Sequence, residues 1–331
     1  MKNFVNKEIF LEKQNENDFA FLSDKIDTSE KKNYLLILGN RYHFSKLEYQ
    51  YLNEKYQIIN IQEYKIENSI QKIIAKIELL EKEKKLLIIN NIETISSPVD
   101  SLSKYLSQKK NYSTIEQFLE HHLQKISPDL VDITQLTLNK ANPISKTLID
   151  YTLAMGLLLV ASPLILYSIY RIKKESSGSV LFKQNRVGEN GKVFTCYKFR
   201  SMYENSYEDF YTRKNDLRVF PWGKVMREMR IDELPQILNV LKGEMHLIGP
   251  RAEWDILANR YANEIPNYHI RHLVKPGITG WAQVNYPYGE NIEDTKQKLM
   301  YDLYYIKNWS LMLEIKTIFK TIAVVLRKQG V

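Results

Sequence analysis

The chain has 331 residues with ordinary fractions of apolar and charged side chains, which allows two folded domains and argues against a disordered protein. Its net charge of +8 suits a negatively charged partner, such as nucleic acid, an anionic membrane surface or a phosphorylated substrate, without choosing among them. The single cysteine, Cys196, excludes an internal disulfide and a cysteine-based zinc site and is typical of a reducing compartment. The N-terminus shows no apolar stretch of the secretory type.

Strands and helical segments alternate in the first third of the chain. Short apolar runs at 34–38, 57–61 and 86–89 predict strands, and the segment 69–84 has helical spacing. This order predicts a Rossmann-like α/β domain with a small parallel sheet over residues 1–127. The loop after the first run carries one glycine, Gly39, rather than G-x-G-x-x-G, so nothing indicates dinucleotide binding.

A helix is expected to close this domain. Residues 113–116 (Ser-Thr-Ile-Glu) resemble a capping box, and apolar side chains from Ile115 to Ile126 fall on one helical face. The segment 128–144 is polar with prolines near both ends, which predicts a linker.

Residues 151–170 form a run of 20 residues without a charge, about the length of a transmembrane helix. Ser162–Pro163 interrupts this run, and an internal proline kinks or breaks a helix. The residues 151–162 would reach only about 18 Å as a helix, too short for a hydrocarbon core of ~30 Å.

Basic residues lie at both ends of the apolar run, Lys146 before it and Arg171, Lys173 and Lys174 after it. Because cytoplasmic flanks collect Lys and Arg, this pattern places both ends on the same side of the membrane. We therefore predict a re-entrant membrane helix over about 148–171, broken at Ser162–Pro163. A kinked single-pass helix and a buried core helix are the alternatives, and hydropathy alone favours the single pass.

A basic segment follows the apolar run. Gly188 and Gly191 bracket a turn, and alternating residues around 193–199 predict a β-hairpin. Its positive charge is consistent with a solvated face or with a surface that binds phosphate or nucleic acid. The basic residues are Lys183, Arg186, Lys192, Lys198 and Arg200.

Two adjacent carboxylates, Asp232 and Glu233, lie near Arg227, Arg230 and Arg251 in the sequence. On spacing alone, structural ion pairs are the better explanation of such a cluster. The functional alternative assigns a carboxylate nucleophile that forms an acyl phosphate, a neighbouring carboxylate that holds Mg²⁺, and arginines that neutralise charge on a transferred phosphoryl group. The adjacent apolar segment favours phosphoryl transfer to a lipid.

From about residue 145 to its end, the chain resembles the bacterial sugar transferase family, the monotopic phosphoglycosyl transferases that start glycan assembly on undecaprenyl phosphate. The stretches that carry the resemblance stand in order: Ser162–Pro163, QNRVGENGKVFTCYKFRSM, RIDELPQILNVLKGEM, LIGPR, VKPGITGWAQVN and YDLYYIKNWSLMLEIKTIFKTI. Two departures are Ala252, where the family usually has a second proline, and His246, where a serine is common.

The resemblance implies an α-rich α+β catalytic domain over residues 145–331, anchored by the broken re-entrant helix at the cytoplasmic face of the bacterial inner membrane. Asp232 would attack the sugar-bearing phosphate of a UDP-sugar and expel UMP. Undecaprenyl phosphate would then take the sugar-1-phosphate from the covalent aspartate intermediate. Glu233, together with Asp232, would bind Mg²⁺. The residues expected to contact phosphate or nucleotide are Lys198, Arg200, Arg251, Arg186, Arg230 and Gln283, the last being polar lining or merely structural.

The C-terminal segment 311–325 has apolar residues at helical spacing with basic residues among them, so it suits a membrane interface or an ordinary core-packing helix. Trp309, Tyr304 and Tyr305 at its start suit interfacial anchoring. For the N-terminal domain, regulation, homo-oligomerisation and docking of the next glycosyltransferase all stay open. The runner-up function is an inactive membrane-tethered scaffold. Nucleic-acid binding is disfavoured, because the chain has no known binding motif and the apolar segment would have no role.

Overall fold

The computed structural model describes residues 33–62, 70–83, 85–93, 97–130, 144–204, 216–287, 289 and 291–326. The chain divides into two compact units, residues 1–123 and 124–331. We predicted this boundary at residue 127, and the predicted linker, 128–144, lies mostly outside the described residues.

The first unit contains a parallel four-stranded sheet in the order β2-β1-β3-β4. Its strands are β1 (Asn33–Leu38), β2 (Tyr56–Ile61), β3 (Leu86–Asn90) and β4 (Tyr112–Thr114), and its helices are α1 (Lys46–Lys55), α2 (Ile70–Glu83), α3 (Ser97–Ser107) and α4 (Ile115–Phe118), which continues as a π-helical turn (Leu119–Leu123). The predicted parallel sheet and its three apolar strands are confirmed. β1 is buried along five of its six residues, as expected for a central parallel strand covered on both faces.

The cap of α4 differs from the prediction by one residue. Thr114 is the N-cap: its hydroxyl accepts from the backbone N–H of Gln117 (3.3 Å), and the Gln117 side chain accepts from the N–H of Thr114 (3.2 Å). Gln replaces Glu well in this motif, so the box can start one position later than Ser113. The helix also ends at Leu123 rather than reaching Ile126, because Gln124 adopts a left-handed backbone conformation (φ 55°).

The second unit is built from helices with two small β pairs, in agreement with the predicted α-rich α+β class. In chain order its elements are α5 (Ile144–Glu175), β5 (Leu181–Val187), β6 (Val193–Phe199), α6 (Pro221–Glu228), a 3₁₀ helix (Ile231–Gln236), α7 (Ile237–Leu241), β7 (His246–Ile248), α8 (Asp255–Glu264), a second 3₁₀ helix (Tyr268–Leu273), β8 (Gly277–Thr279), α9 (Trp281–Asn285), α10 (Ile292–Lys307) and α11 (Leu311–Leu326). β5 and β6 form the predicted antiparallel hairpin, and β7 pairs with β8 in parallel.

The apolar helix α5 is 32 residues long, which corresponds to about 48 Å. In the part of the chain that the structure describes, it is the one helix long and apolar enough to cross a membrane, and only 17% of its most apolar window is buried within the protein. A soluble core helix would be mostly covered. The exposure therefore supports membrane association.

The predicted break at Ser162–Pro163 is not an interruption of the helix, because α5 runs through Pro163. Pro163 has no N–H to donate to the carbonyl of Leu159, four residues earlier. The Ser162 hydroxyl donates to that carbonyl instead, at 2.8 Å. This hydrogen bond matters in lipid, where no water is available to donate to a carbonyl that lacks a partner. The re-entrant path itself stays a prediction.

Lys146 does not behave as the membrane-surface flank that the sequence suggested. It is buried, with its ammonium 2.9 Å from both carboxylate oxygens of Glu314 and 3.4 Å from Asp150. Nδ1 of His246 lies 2.6 Å from the same Asp150 carboxylate. We call these four residues the buried charge network. They join the start of α5 to α11 and β7, and they place this end of α5 inside the protein.

The start of α11 also differs from the prediction of interfacial anchors. Tyr305 is buried and its hydroxyl donates to Glu314 (2.5 Å), and the indole N–H of Trp309 donates to Glu314 as well (2.7 Å). Both aromatic residues therefore hold a buried carboxylate. Several apolar side chains of α11 are exposed, which suits a membrane interface: Leu311, Met312, Ile315, Ile318, Phe319 and Ile322.

Candidate active site

The two adjacent carboxylates lie on the 3₁₀ helix Ile231–Gln236. Arg230 precedes it in a left-handed conformation (φ 59°, ψ 20°). A non-glycine residue in this region costs of order 1–3 kcal/mol and persists only where the surroundings enforce it, often at functional sites. The backbone N–H of Glu233 donates to the carbonyl of Arg230 (3.2 Å), so this turn places the Arg230 side chain on the same side as the Glu233 carboxylate.

Three cations surround the buried Glu233 carboxylate. The ammonium of Lys198 donates to Oε1 at 3.0 Å, and Nη2 of Arg251 donates to the same oxygen at 3.1 Å. Nη1 of Arg230 lies 3.7 Å from Oε2. The hairpin, the strained turn and the loop after β7 therefore converge on one carboxylate. The structure brings together three of the predicted phosphate-contact residues at this point.

Electrostatics keep Glu233 ionised. Burial acts to raise its pKa, but Lys198, Arg251 and Arg230 outweigh burial and hold the pKa well below its usual value. Burial lowers the pKa of Lys198, an effect that Glu233 opposes. For Arg251 the carboxylate of Glu233 is the main influence, and it raises the pKa. The cluster thus carries an excess of positive charge, which suits an anionic ligand.

Asp232 lies beside this cluster in a different environment. Its side chain is partly exposed, and its buried Oδ1 atom has no hydrogen-bond partner. Burial raises its pKa, as does the ionised Glu233, while Lys198 opposes the shift. A buried carboxylate oxygen without a partner, beside a cluster of cations, marks Asp232 as a candidate functional group.

Arg186 supports the same region from the hairpin. Its guanidinium donates to the backbone carbonyl of Ala252 and to the side chain of Gln184 (Nη2 at 2.8 Å). Burial lowers its pKa, and the neighbouring Arg251 lowers it further. Arg186 therefore holds the loop that carries Arg251, and it adds positive charge next to it.

Arg271, which was not among the site residues predicted from the sequence, holds the backbone of Arg251 in place. Arg271 donates to the backbone carbonyl of Arg251 (3.0 Å) and pairs with the buried Asp302 at 2.8 Å. Burial raises the pKa of Asp302 to about 6. β8, which lies against this loop, needs a glycine at its first residue, since a Cβ on Gly277 would lie 2.1 Å from the backbone nitrogen of Gly249. The LIGPR and VKPGITG stretches stand out in the sequence, but the sequence did not predict that they pair as β7 and β8.

Two predicted contact residues lie outside the cluster around Glu233. Arg200 is buried, and its guanidinium donates to the backbone carbonyls of Ser176 (3.0 Å) and Ser179 (2.6 Å), so it anchors the chain that follows α5. Gln283 lies on α9, where its amide nitrogen donates to the carbonyl of Ile278 (3.3 Å) and its buried Oε1 has no partner.

A mostly apolar groove begins beside the carboxylates. Arg230 and Glu233 are part of its lining, and α5, the 3₁₀ helix, α7, β8, α9 and α11 supply its walls. The apolar residues that line it include Leu157, Leu234, Ile237, Ile278, Val324 and Val325. A lining that combines a guanidinium and a carboxylate with mostly hydrocarbon matches an amphiphile with an anionic head.

A magnesium ion fits the donor chemistry of the pair. Within the described ranges, no group of three His, Cys, Asp or Glu side chains could hold a metal by itself. Mg²⁺ usually binds one or two carboxylates and completes its coordination with water and substrate phosphates. Asp232 and Glu233 offer two adjacent carboxylates, one with an oxygen that lacks a partner.

The fold and the site define a membrane-associated protein in which adjacent carboxylates and several cations lie beside a mostly apolar groove. The family model for the bacterial sugar transferases matches residues 141–328, and the chain belongs to that family. The sequence-based recognition is therefore confirmed.

Three relatives illustrate the similarity. A UDP-N-acetylgalactosamine-undecaprenyl-phosphate N-acetylgalactosaminephosphotransferase of Aeromonas hydrophila is 43% identical over 63% of this chain and 53% of its own length. A UDP-glucose:undecaprenyl-phosphate glucose-1-phosphate transferase of Klebsiella pneumoniae is 40% identical over 58% of this chain and 42% of its own length. An uncharacterized sugar transferase of Bacillus subtilis is 39% identical over 57% of this chain and 90% of its own length. The chain spans about half the length of the first two.

Proposed function

We propose that this protein transfers a sugar-1-phosphate from a UDP-sugar to undecaprenyl phosphate at the cytoplasmic face of the bacterial inner membrane, and so initiates the assembly of a cell-surface glycan. The proposal is supported by family membership and by the named activities of the relatives. The observation that carries it is the asymmetry of the carboxylate pair: Glu233 is paired with cations, whereas the Oδ1 atom of Asp232 has no hydrogen-bond partner.

In the first half-reaction, an ionised Asp232 oxygen attacks the sugar-bearing phosphorus of the UDP-sugar. The bond from that phosphorus to the bridging oxygen breaks, and UMP leaves with the electron pair. The product is a mixed anhydride between the aspartate and the sugar phosphate. Lys198, Arg230 and Arg251, which surround the neighbouring Glu233, would neutralise the negative charge that accumulates on the phosphoryl oxygens and so lower the barrier.

In the second half-reaction, a phosphate oxygen of undecaprenyl phosphate attacks the same phosphorus. The phosphorus–aspartate bond breaks, the Asp232 carboxylate is regenerated and the lipid carries the sugar diphosphate. Asp232 and Glu233 would hold Mg²⁺, which supplies positive charge to the phosphates when bound. Arg186 and Arg271 keep the Arg251 loop in place during both steps.

The decisive experiment measures UMP release and lipid-linked product from a panel of UDP-sugars, with undecaprenyl phosphate and Mg²⁺ in detergent. The Asp232→Asn variant should lose at least 10³-fold in activity, as expected when a covalent nucleophile is removed. Glu264→Gln, which neutralises a surface carboxylate 41% exposed in its side chain, is the matched control and should keep full activity. Activity retained by Asp232→Asn would eliminate the mechanism.

The competing function, an inactive membrane-tethered scaffold, would be favoured if the wild-type protein released no UMP from any donor in the panel. Intact protein mass after incubation with donor alone gives an independent readout. The proposed intermediate adds the mass of the sugar phosphate to the wild-type chain and not to Asp232→Asn.

A further inference from the structure

The groove next to the carboxylates has a lining of mixed character. Arg230 and Glu233 are part of it, and the remaining wall is mostly hydrocarbon. Arg230 is the cation held least tightly by Glu233, at 3.7 Å against 3.0 Å for Lys198. Its guanidinium therefore has capacity to contact a second anion in the groove.

Two of the polar side chains along the groove, Thr279 and Thr321, are satisfied within the protein, whereas Gln283 also lines the groove and its buried Oε1 has no partner. The hydroxyls of Thr279 and Thr321 lie 2.8 Å apart, and Thr321 also donates to the carbonyl of Thr317 (2.8 Å). These two threonines therefore present mainly their methyl groups to a ligand. A chain with hydrogen-bonding groups along its length, such as a peptide or a sugar, would find few partners there.

The helices that wall the groove are also those that expose apolar surface. Leu157 on α5 lines the groove and is 41% exposed, and Ile322 on α11, beside the lining residue Thr321, is 49% exposed. The groove is thus continuous with the surface suited to lipid, and an apolar chain can enter it from the bilayer without crossing water.

We infer that this groove binds the phosphate-proximal isoprene units of the polyprenyl acceptor, with Arg230 directing the acceptor phosphate toward Asp232. This inference rests on the proposed function and adds a location and a selectivity to it. An ordinary membrane lipid could place an acyl chain in the same groove. The nearby cations and the reacting carboxylate argue for the polyprenyl phosphate, because its headgroup is a single phosphate small enough to reach them.

Filling the groove tests the inference. Val324→Trp and Leu157→Trp add an indole to the lining, and Ala323→Trp adds one to an exposed position of the same helix as Val324. We expect the KM for undecaprenyl phosphate to rise at least tenfold in the two groove variants. The KM for the UDP-sugar and the UMP released without acceptor should stay within twofold. Ala323→Trp should match the wild type, which controls for added membrane affinity.

Photo-crosslinking in the wild-type protein gives a second, fold-independent test. Undecaprenyl phosphate with a diazirine in its first isoprene units, reconstituted in phosphatidylglycerol nanodiscs, should label peptides that contain Leu157, Ile278 or Val324. Unlabelled undecaprenyl phosphate should compete for labelling, and extra phosphatidylglycerol should not. An unchanged acceptor KM in both folded groove variants, labelling confined to other peptides, or equal competition by phosphatidylglycerol would each overturn the inference. If the wild type transfers nothing, the proposed function fails, and the labelling pattern still decides where the lipid binds.

Discussion

The buried charge network predicts a large and specific loss of stability when Lys146 is replaced by Met. Lys146 is 3% exposed, and its ammonium serves both Glu314 and Asp150. The substitution removes the cation and leaves two buried carboxylates near each other. Glu314 keeps its hydrogen bonds from Tyr305 and Trp309, and Asp150 keeps His246, so part of the network survives.

Breaking a buried ion pair by removing one partner costs about 3–5 kcal/mol. A unit of the size of residues 124–331 loses roughly 2–4 °C in Tm for each kcal/mol, so the expected fall is roughly 6–20 °C. The double variant Lys146→Met/Glu314→Gln removes both charges. It should lose less than the sum of the two single variants, by about 1–3 kcal/mol.

The assay is thermal unfolding in detergent, followed by intrinsic fluorescence. Lys173→Met is the control, because Lys173 is an exposed lysine near the other end of the same helix and should shift Tm by less than about 2 °C. A Tm for Lys146→Met equal to that of the control would refute the reasoning, and so would strict additivity in the double variant. Since the network joins α5 to α11, which both wall the groove, activity should fall with stability.

Three further predictions follow from individual groups. Ser162→Ala should destabilise α5 by about 1–3 kcal/mol, because the Leu159 carbonyl loses its donor; Ser168→Ala, whose buried hydroxyl has no partner, should be neutral or stabilising in the same thermal assay. Activity should fall on acidification with a midpoint above the ordinary aspartate pKa of 3.8, because Asp232 must be ionised to attack and its pKa is raised; a midpoint at or below 3.8 in the pH profile of kcat/KM would contradict this. Burial favours the protonated form of Asp302, whose pKa in the folded protein is about 6. The stability of the wild type, measured against Asp302→Asn, should therefore be greatest below pH ~4 and should decline by about 3 kcal/mol as pH rises through the folded pKa. A stability difference that stays constant across this pH window would exclude the pKa shift.

Local patterns in the sequence determined a large part of the architecture. Apolar runs such as 34–38 marked the strands of the parallel sheet, and the Gly188–Gly191 turn with its alternating flank marked the hairpin. These features depend on residues close together in the chain, whose periodicity and turn chemistry are visible without a fold. The sequence also identified the family, because its motifs follow one another in a characteristic order.

Position in three dimensions was needed to separate residues that look alike in the sequence. Lys198 and Arg200 are two residues apart in the same basic stretch, and both were predicted to contact phosphate. Lys198 donates to Glu233, whereas the guanidinium of Arg200 donates to backbone carbonyls at and after the end of α5. Arg271, which no local motif distinguished, supports the Arg251 loop.

The tertiary structure alone decided which charges are paired. Lys146 looked like a membrane flank because its partner Glu314 is 168 residues away, and no local pattern reports such a contact. The sequence determined which segments are apolar, which turns form and which chemistry is available at Asp232 and Glu233. Folding decided the partners, burial and free oxygen atoms of those groups, because the strength of an electrostatic interaction depends on distance in space and on the water excluded around it.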